Sequence, residues 1–306
     1  SFASQKAMEN VYKHRDISGI AGLSSVPKDL EGGDTVVHNI RLNAATMLFF
    51  KTSSGVLSNV KVRQALVKAT DQAAIINSLD YPTRAVKEPL LQGQVGYNPA
   101  YIQASFNKAQ AKADLAADGW VAGAAGILQK DKQKLIFNLY LDDKPEYVRV
   151  AKLLAAQWRE LGVVARLTVE PHTEFKNTLS YHSYDAVLHG ISIGSDPDVF
   201  VYWDSSQTDV RSANRLNFSE YKSTVADTAL QAGRSRQDPA LRTIKYQPFL
   251  AAWQQDAPAV GLYQPRYLYI THGELYGLSD HSINGGIDRL SNVDQWMIRT
   301  ARVTDN

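Results

Sequence analysis

The 306 residues are 44% hydrophobic and 21% charged, the balance of a globular chain rather than a disordered, fibrous or polyionic one. Lys and Arg number 33 against 31 Asp and Glu, and a net +2 spread evenly along the chain excludes a nucleic-acid surface and an anionic membrane face. Length permits one large domain or two of ordinary size, because single cores stop growing at roughly 250–300 residues.

Cysteine is absent, which removes disulfides, thiolate metal sites and Cys nucleophiles together. No apolar run approaches the roughly 20 residues of a membrane span. The opening Ser1-Phe2-Ala3-Ser4-Gln5 does not read as a signal peptide, and the chain reads as starting inside a protein. Among His14, His38, His172, His182, His189, His272 and His281, no pair has the i, i+4 spacing of a helical zinc site. Each is read as surface or core filler, and neither a protein-ligated metal nor a cofactor is expected.

In chain order, Met47-Leu48-Phe49-Phe50 predicts a buried strand, followed by a turn at Thr52-Ser53-Ser54-Gly55. Ser58 then caps a helix with Val62, Leu66, Ala69, Ala73 and Ile76 on one face. Arg63 and Asp71, eight residues apart on it, share a side and read as structural. Pro82, Pro89 and Pro99 mark 81–101 as an irregular crossing. A helix from about Asn107 to Asp118 ends at Gly119-Trp120. Gly123-Ala124-Ala125-Gly126 is a turn and not a phosphate cradle, and 130–134 reads as a solvated hairpin tip.

The middle carries the strongest architectural signal. Leu135–Leu141 predicts a strand, and Pro145 opens a helix striped by Val148, Ala151, Ala155, Trp158 and Leu161 and stopped by Gly162. A strand at Val163–Val169, a short helix at Thr173–Ser180 and a strand at Asp185–Gly190 complete βαβαβ. That order needs crossover connections and so predicts a largely parallel sheet with helices on its faces. Ligands of such sheets gather at the carboxyl ends of the strands, here Ser192-Ile193-Gly194-Ser195-Asp196-Pro197-Asp198.

Three chemistries compete for that segment. Gly190-Ile191-Ser192-Ile193-Gly194 fits the G-x-S-x-G elbow of α/β-hydrolases, with Asp256 and His272 or His281 downstream in the required order, though no Gly-rich oxyanion loop precedes it. Asp196 and Asp198 could form a carboxylate pair, or simply cap a turn or helix. Tyr202 and Trp203 offer an aromatic floor for a ligand, whereas Trp158 and Trp253 read as core.

Four stretches in order resemble the peptide/nickel-type (family 5) solute-binding proteins of ABC transporters. They are Leu57–Leu66 with Asp71 and Ile75; Phe106–Lys112 with Leu115 and Ala117-Asp118-Gly119-Trp120; Ala151–Trp158, Leu161-Gly162-Val163 and Tyr184–Leu188 leading to Asp196-Pro197-Asp198; and Trp253 with Asp256–Tyr263. The resemblance implies an α/β, periplasmic-binding-protein-like fold with a mainly parallel central sheet. It divides the chain into a first-lobe remnant at 1–45, a second α/β lobe at 46–265 and a segment returning toward the first lobe at 266–306. A truncated chain or natural fragment carrying one cleft wall follows from it.

The function implied is the substrate-binding component of an ABC importer, monomeric and extracytoplasmic, periplasmic or lipid-anchored. Its partners would be a small solute, an oligopeptide or similar, and a membrane permease. Asp196, Asp198, Tyr202 and Trp203 are the expected cleft residues, with Asn217 and Tyr263 behind them. In peptide-binding relatives an Asp shortly before the Asp-Pro motif pairs with the peptide ammonium. Here Ser192–Ser195 is one residue shorter and lacks that acid, so Asp196 or Asp198 substitutes, or the ligand has no free ammonium. Besides the esterase-like alternative, a sensor or interaction module that has left transport remains a third reading.

Overall fold

The structure, a computed structural model, describes residues 2–209, 211–212 and 215–298. It divides into two units: a larger one of Ala44–Asp80 with Arg84–Tyr263, and a smaller one of Ser1–Asn43, Tyr81–Thr83 and Gln264–Asn306. The elements begin with α1 Gln5–Lys13, β1 Gly19–Leu23, β2 Thr35–Arg41, β3 Ala44–Phe50, α2 Val60–Lys68, α3 Gln72–Asn77 and α4 Lys108–Ala117. Short strands β4 Val121–Ala122, β5 Leu128–Lys130 and β6 Gln133–Lys134 precede β7 Ile136–Asp142, α5 Pro145–Arg159, β8 Val164–Glu170, α6 His172–Tyr181 and β9 Ala186–Ser192. The remainder is α7 Phe200–Trp203, α8 Thr224–Arg234, α9 Pro239–Asp256, β10 Ala259–Tyr263, β11 Arg266–His272, β12 Leu275–Tyr276 and β13 Met297–Ile298.

The larger unit is built on a five-stranded sheet in the order β10-β3-β9-β7-β8. β7 pairs in parallel with both β8 and β9, which is the expected βαβαβ unit. β3 and β10, which enter and leave the unit without such crossovers, pair antiparallel, so the sheet is mixed rather than largely parallel. Strand alternation makes two cores. On one face Leu48, Phe50, Leu139, Leu141 and Leu188 pack with Val150, Leu154 and Trp158 of α5. On the other, Met47, Phe49, Val187 and Ile191 pack with Trp203, Phe218, Tyr246, Phe249 and Trp253.

The helix expected from Ser58 to Ile76 is two helices. Asn59, not Ser58, caps α2 by accepting from Lys61 N at 2.9 Å, and Asp71 caps α3 by accepting from Ala74 N at 3.0 Å. Arg63 and Asp71 therefore serve different helices. Arg63 is buried, and its guanidinium donates to the carbonyls of Leu57, Ser58, Asp256 and Ala257. The hairpin tip is Asp131-Lys132, both at positive φ (49° and 65°), the conformation that a two-residue turn with matching twist requires. The irregular segment after Arg84 runs beside β10: Val86 N donates to Leu262 O, and the side-chain amides of Gln72 and Gln103 bond to the same strand. An otherwise open sheet edge is thereby covered.

In the smaller unit β11 is the central strand of an antiparallel sheet, β1-β11-β2. Its core is Tyr12, Ile20, Leu23, Leu30, Leu268 and Ile270. Tyr81 joins this unit by lying against the Arg266 guanidinium, 4.1 Å from ring centroid to cation.

Candidate functional site

The carboxyl ends of β7, β8 and β9 form one edge of the larger unit. Because β3 runs antiparallel to β9, Ala44 lies opposite Ser192, so the chain enters the unit at this same edge. The turn leaving β9 is held through its carbonyls. Tyr202 Oη donates to Ser192 O at 2.8 Å, Gln94 Nε2 donates to Gly194 O at 2.6 Å, and Tyr246 Oη donates to Pro197 O at 3.2 Å. Gly194 sits at φ +80°, a conformation that L side chains rarely adopt. Ser192, Ser195 and Asp196 remain exposed on a turn whose backbone is fixed from behind.

Both predicted carboxylates on the turn are ion-paired. Asp196 meets Arg242 of α9, and Asp198 meets Arg234 of α8 at 2.7 Å while accepting from Phe200 N at 3.2 Å. Arg234 also lies 4.2 Å above the Phe200 ring. The capping reading of Asp198 thus holds alongside its ion pair.

The other four predicted site residues are interior. Trp203 has no exposed surface and packs against Phe49 and Trp253, with ring centroids 5.7 and 5.9 Å away, so it is core rather than a ligand floor. Tyr202 is 8% exposed, its hydroxyl committed to Ser192 O. Asn217, fully buried, bonds Asp204 O, Tyr221 O and Tyr221 N and braces the bend at Glu220 (φ 46°). Tyr263, also fully buried, donates to Glu146 Oε1 at 2.7 Å.

A polar group not anticipated as a site stands beside the turn. The β7–β9 register pairs Leu141 with Leu188, so Asp142 and His189 follow side by side on one face. His172, at the start of α6, bonds Asp142 through Nδ1 at 2.7 Å, and Lys144 Nζ is 3.7 Å from the same carboxylate. Burial works to raise the Asp142 carboxyl, but the His172 bond and the Lys144 charge hold it below the usual carboxylate range. His189 is pushed down to about 4, by burial first and then by the Lys144 charge, and its Nδ1 has no hydrogen-bond partner. At neutral pH it is an uncharged imidazole beside a carboxylate.

The candidate partners of the hydrolase alternative each have neighbours of their own within their units. His189 precedes Ser192 by three residues, on the opposite face of β9. His272 lies stacked on Tyr12 in the smaller unit, its Nε2 2.8 Å from Tyr12 O and its Nδ1 3.2 Å from Asp34. His281 is exposed beside Ser279, and Asp256 accepts from Tyr221 Oη at 2.6 Å. Among the described residues no group of three or more His, Cys, Asp or Glu is placed to hold a metal ion.

Strand-end position was the signal available for Asp142 and His172, whereas His189 lies in the middle of β9. Nothing in the sequence connects Gln94 with Gly194, 100 residues away.

Comparison with known proteins agrees with this architecture. Residues 3–212 match the family model described as bacterial extracellular solute-binding proteins, family 5 Middle. A probable D,D-dipeptide-binding periplasmic protein of Escherichia coli is 24% identical over 76% of this chain and 43% of its own length. Protein XP55 of Streptomyces lividans is 28% identical over 72% of this chain and 39% of its own. The chain therefore spans less than half the length of these relatives. Among solved structures, NikZ of Campylobacter jejuni in complex with Ni(L-His) superposes with a TM-score of 0.78 at 23% identity, over 95% of this chain and 59% of that one. AppA of Bacillus subtilis, bound to a nonapeptide, gives 0.77 at 21% identity, over 96% and 58%. The chain belongs to the bacterial extracellular solute-binding proteins, family 5.

Proposed function

We propose that this chain is part of the substrate-binding component of an ABC importer, taking up an oligopeptide or similar small solute without bond chemistry. The observation that carries the reading is the turn after β9: an exposed strand-end segment whose carbonyls are tied down by Tyr202, Gln94 and Tyr246. Such a preorganised edge serves binding, because little ordering remains to be done when a solute arrives. The solute would lie in a cleft with Ser192–Asp198 on one wall, closed by a hinge motion. The receptor would work as an extracytoplasmic monomer, periplasmic or lipid-anchored, and deliver its cargo to a membrane permease.

The ion pairs refine the ligand. Asp196 and Asp198 already face Arg242 and Arg234, which supports a solute without a free ammonium at this turn. Native mass spectrometry of the full-length protein should find one solute per chain. Thermal shifts with trialanine and N-acetyl-trialanine then test the preference, the acetylated peptide stabilising at least as well as the free one. Turnover of a p-nitrophenyl ester that disappears in Ser192→Ala would overturn the receptor reading in favour of the hydrolase.

A further inference from the structure

Glu88 lies in the irregular segment between Arg84 and α4, with none of its surface exposed. One carboxyl oxygen accepts from Asn98 N at 3.2 Å, and the other has no hydrogen-bond partner. Among the described residues no cation compensates it. Lys87, its neighbour, lines a separate pocket with Asp71 and Gln103. On α9, which packs on the same segment through Thr243 and Gln254, Arg242 is committed to Asp196, Lys245 lies in the groove facing α8, and Asp256 is bound to Tyr221. The titratable group that feels Glu88 is Tyr97, whose phenol is pushed up by burial and then by that carboxyl.

A buried carboxylate with one amide donor and no counter-ion is far costlier than the neutral acid. Burial accordingly pushes Glu88 up to about 8, with the Asn98 hydrogen bond working weakly the other way. The same segment carries Gln94, which accepts from Leu91 N at 2.9 Å and donates to Gly194 O at 2.6 Å. Gln94 is thus a mechanical connection between the segment around Glu88 and the turn after β9.

We propose that Glu88 is a built-in pH latch: as a neutral acid it keeps 84–103 packed, and its ionisation loosens that segment and, through Gln94, the turn at Ser192–Asp198. This goes beyond the receptor reading and holds whatever solute the protein takes.

The test is amide hydrogen exchange followed by mass spectrometry on the whole protein at about pH 6 and about pH 9, corrected for intrinsic exchange. Peptides covering 84–103 and 192–198 should both lose protection by tenfold or more at the higher pH in the wild type, and neither should in Glu88→Gln. In Gln94→Ala, 84–103 should still respond while 192–198 no longer follows it. Equal pH responses in wild type and Glu88→Gln overturn the latch, and a wild-type response confined to 84–103 overturns its coupling to the turn. If Glu88→Gln does not fold, the infrared band of a protonated carboxyl in the wild type decides. It should be present at neutral pH and vanish in alkali, and its absence at neutral pH overturns the proposal.

Discussion

The side chain of Gln103 pairs with the peptide group of Gly261 as a neighbouring strand would: Nε2 donates to Gly261 O at 3.0 Å, and Oε1 accepts from Gly261 N at 2.8 Å. Gln103→Ala removes both bonds from the outer edge of β10. A loss of about 1–3 kcal/mol is expected, read as a lower urea midpoint at unchanged m-value.

Gly261 itself admits no side chain. A Cβ there would stand 2.4 Å from Val86 O, a backbone atom that no rotamer change can move. Gly261→Ala should cost about 1–3 kcal/mol and detach the Val86 segment, seen as faster amide exchange at 84–88.

Arg63 holds carbonyls just ahead of α2 and at the end of α9, and burial pushes its guanidinium down to about 10. Lysine keeps the charge but not the planar fork, so Arg63→Lys leaves carbonyls unpaired. Thermal unfolding should show a loss of about 3 kcal/mol or more.

His189 makes stability depend on pH in a definite direction. Its folded value near 4 lies below the ordinary 6.5, so the unfolded chain binds the extra proton first. The contribution is complete above about pH 6.5 and is lost as pH falls towards 4, by roughly 3 kcal/mol. Glu88 has the opposite sign, its contribution being lost as pH rises from about 4.5 to 8. The two offset each other at mildly acidic pH. Unfolding free energies of His189→Gln should therefore fall with rising pH over that range, where the wild type is nearly flat.

Trp203 and Asp196, seven residues apart on the same stretch, should respond very differently. Trp203→Ala empties a fully buried site and should cost about 3–5 kcal/mol by calorimetry. Asp196→Asn breaks a pair whose carboxylate side chain is 76% exposed and should change stability by less than about 1 kcal/mol.

The βαβαβ unit was legible because Pro145, Gly162 and strand-length apolar runs are local signals. The antiparallel places of β3 and β10 were not, since pairing partners more than a hundred residues away leave no periodicity. Asp71 looked like a helix interior because the apolar stripe continues past it, yet its carboxylate captures Ala74 N and starts a new helix. Asp196 and Asp198 lie on the turn after β9, as the strand order implied, but their arginines come from α8 and α9. Trp203 was misread because an aromatic next to a turn and an aromatic under it have the same sequence signature.

The order of the smaller sheet bears on how the chain is made. β1 and β2 leave the ribosome well before β11, yet β11, at Arg266–His272, is the strand that belongs between them. At roughly 5–20 residues per second, the nascent chain spends tens of seconds with two orphan strand edges awaiting their middle. The larger unit lacks β10 for nearly all of that interval, since β10 ends at Tyr263 and β11 begins at Arg266, so the early strands are the natural target of holding chaperones and of misassembly.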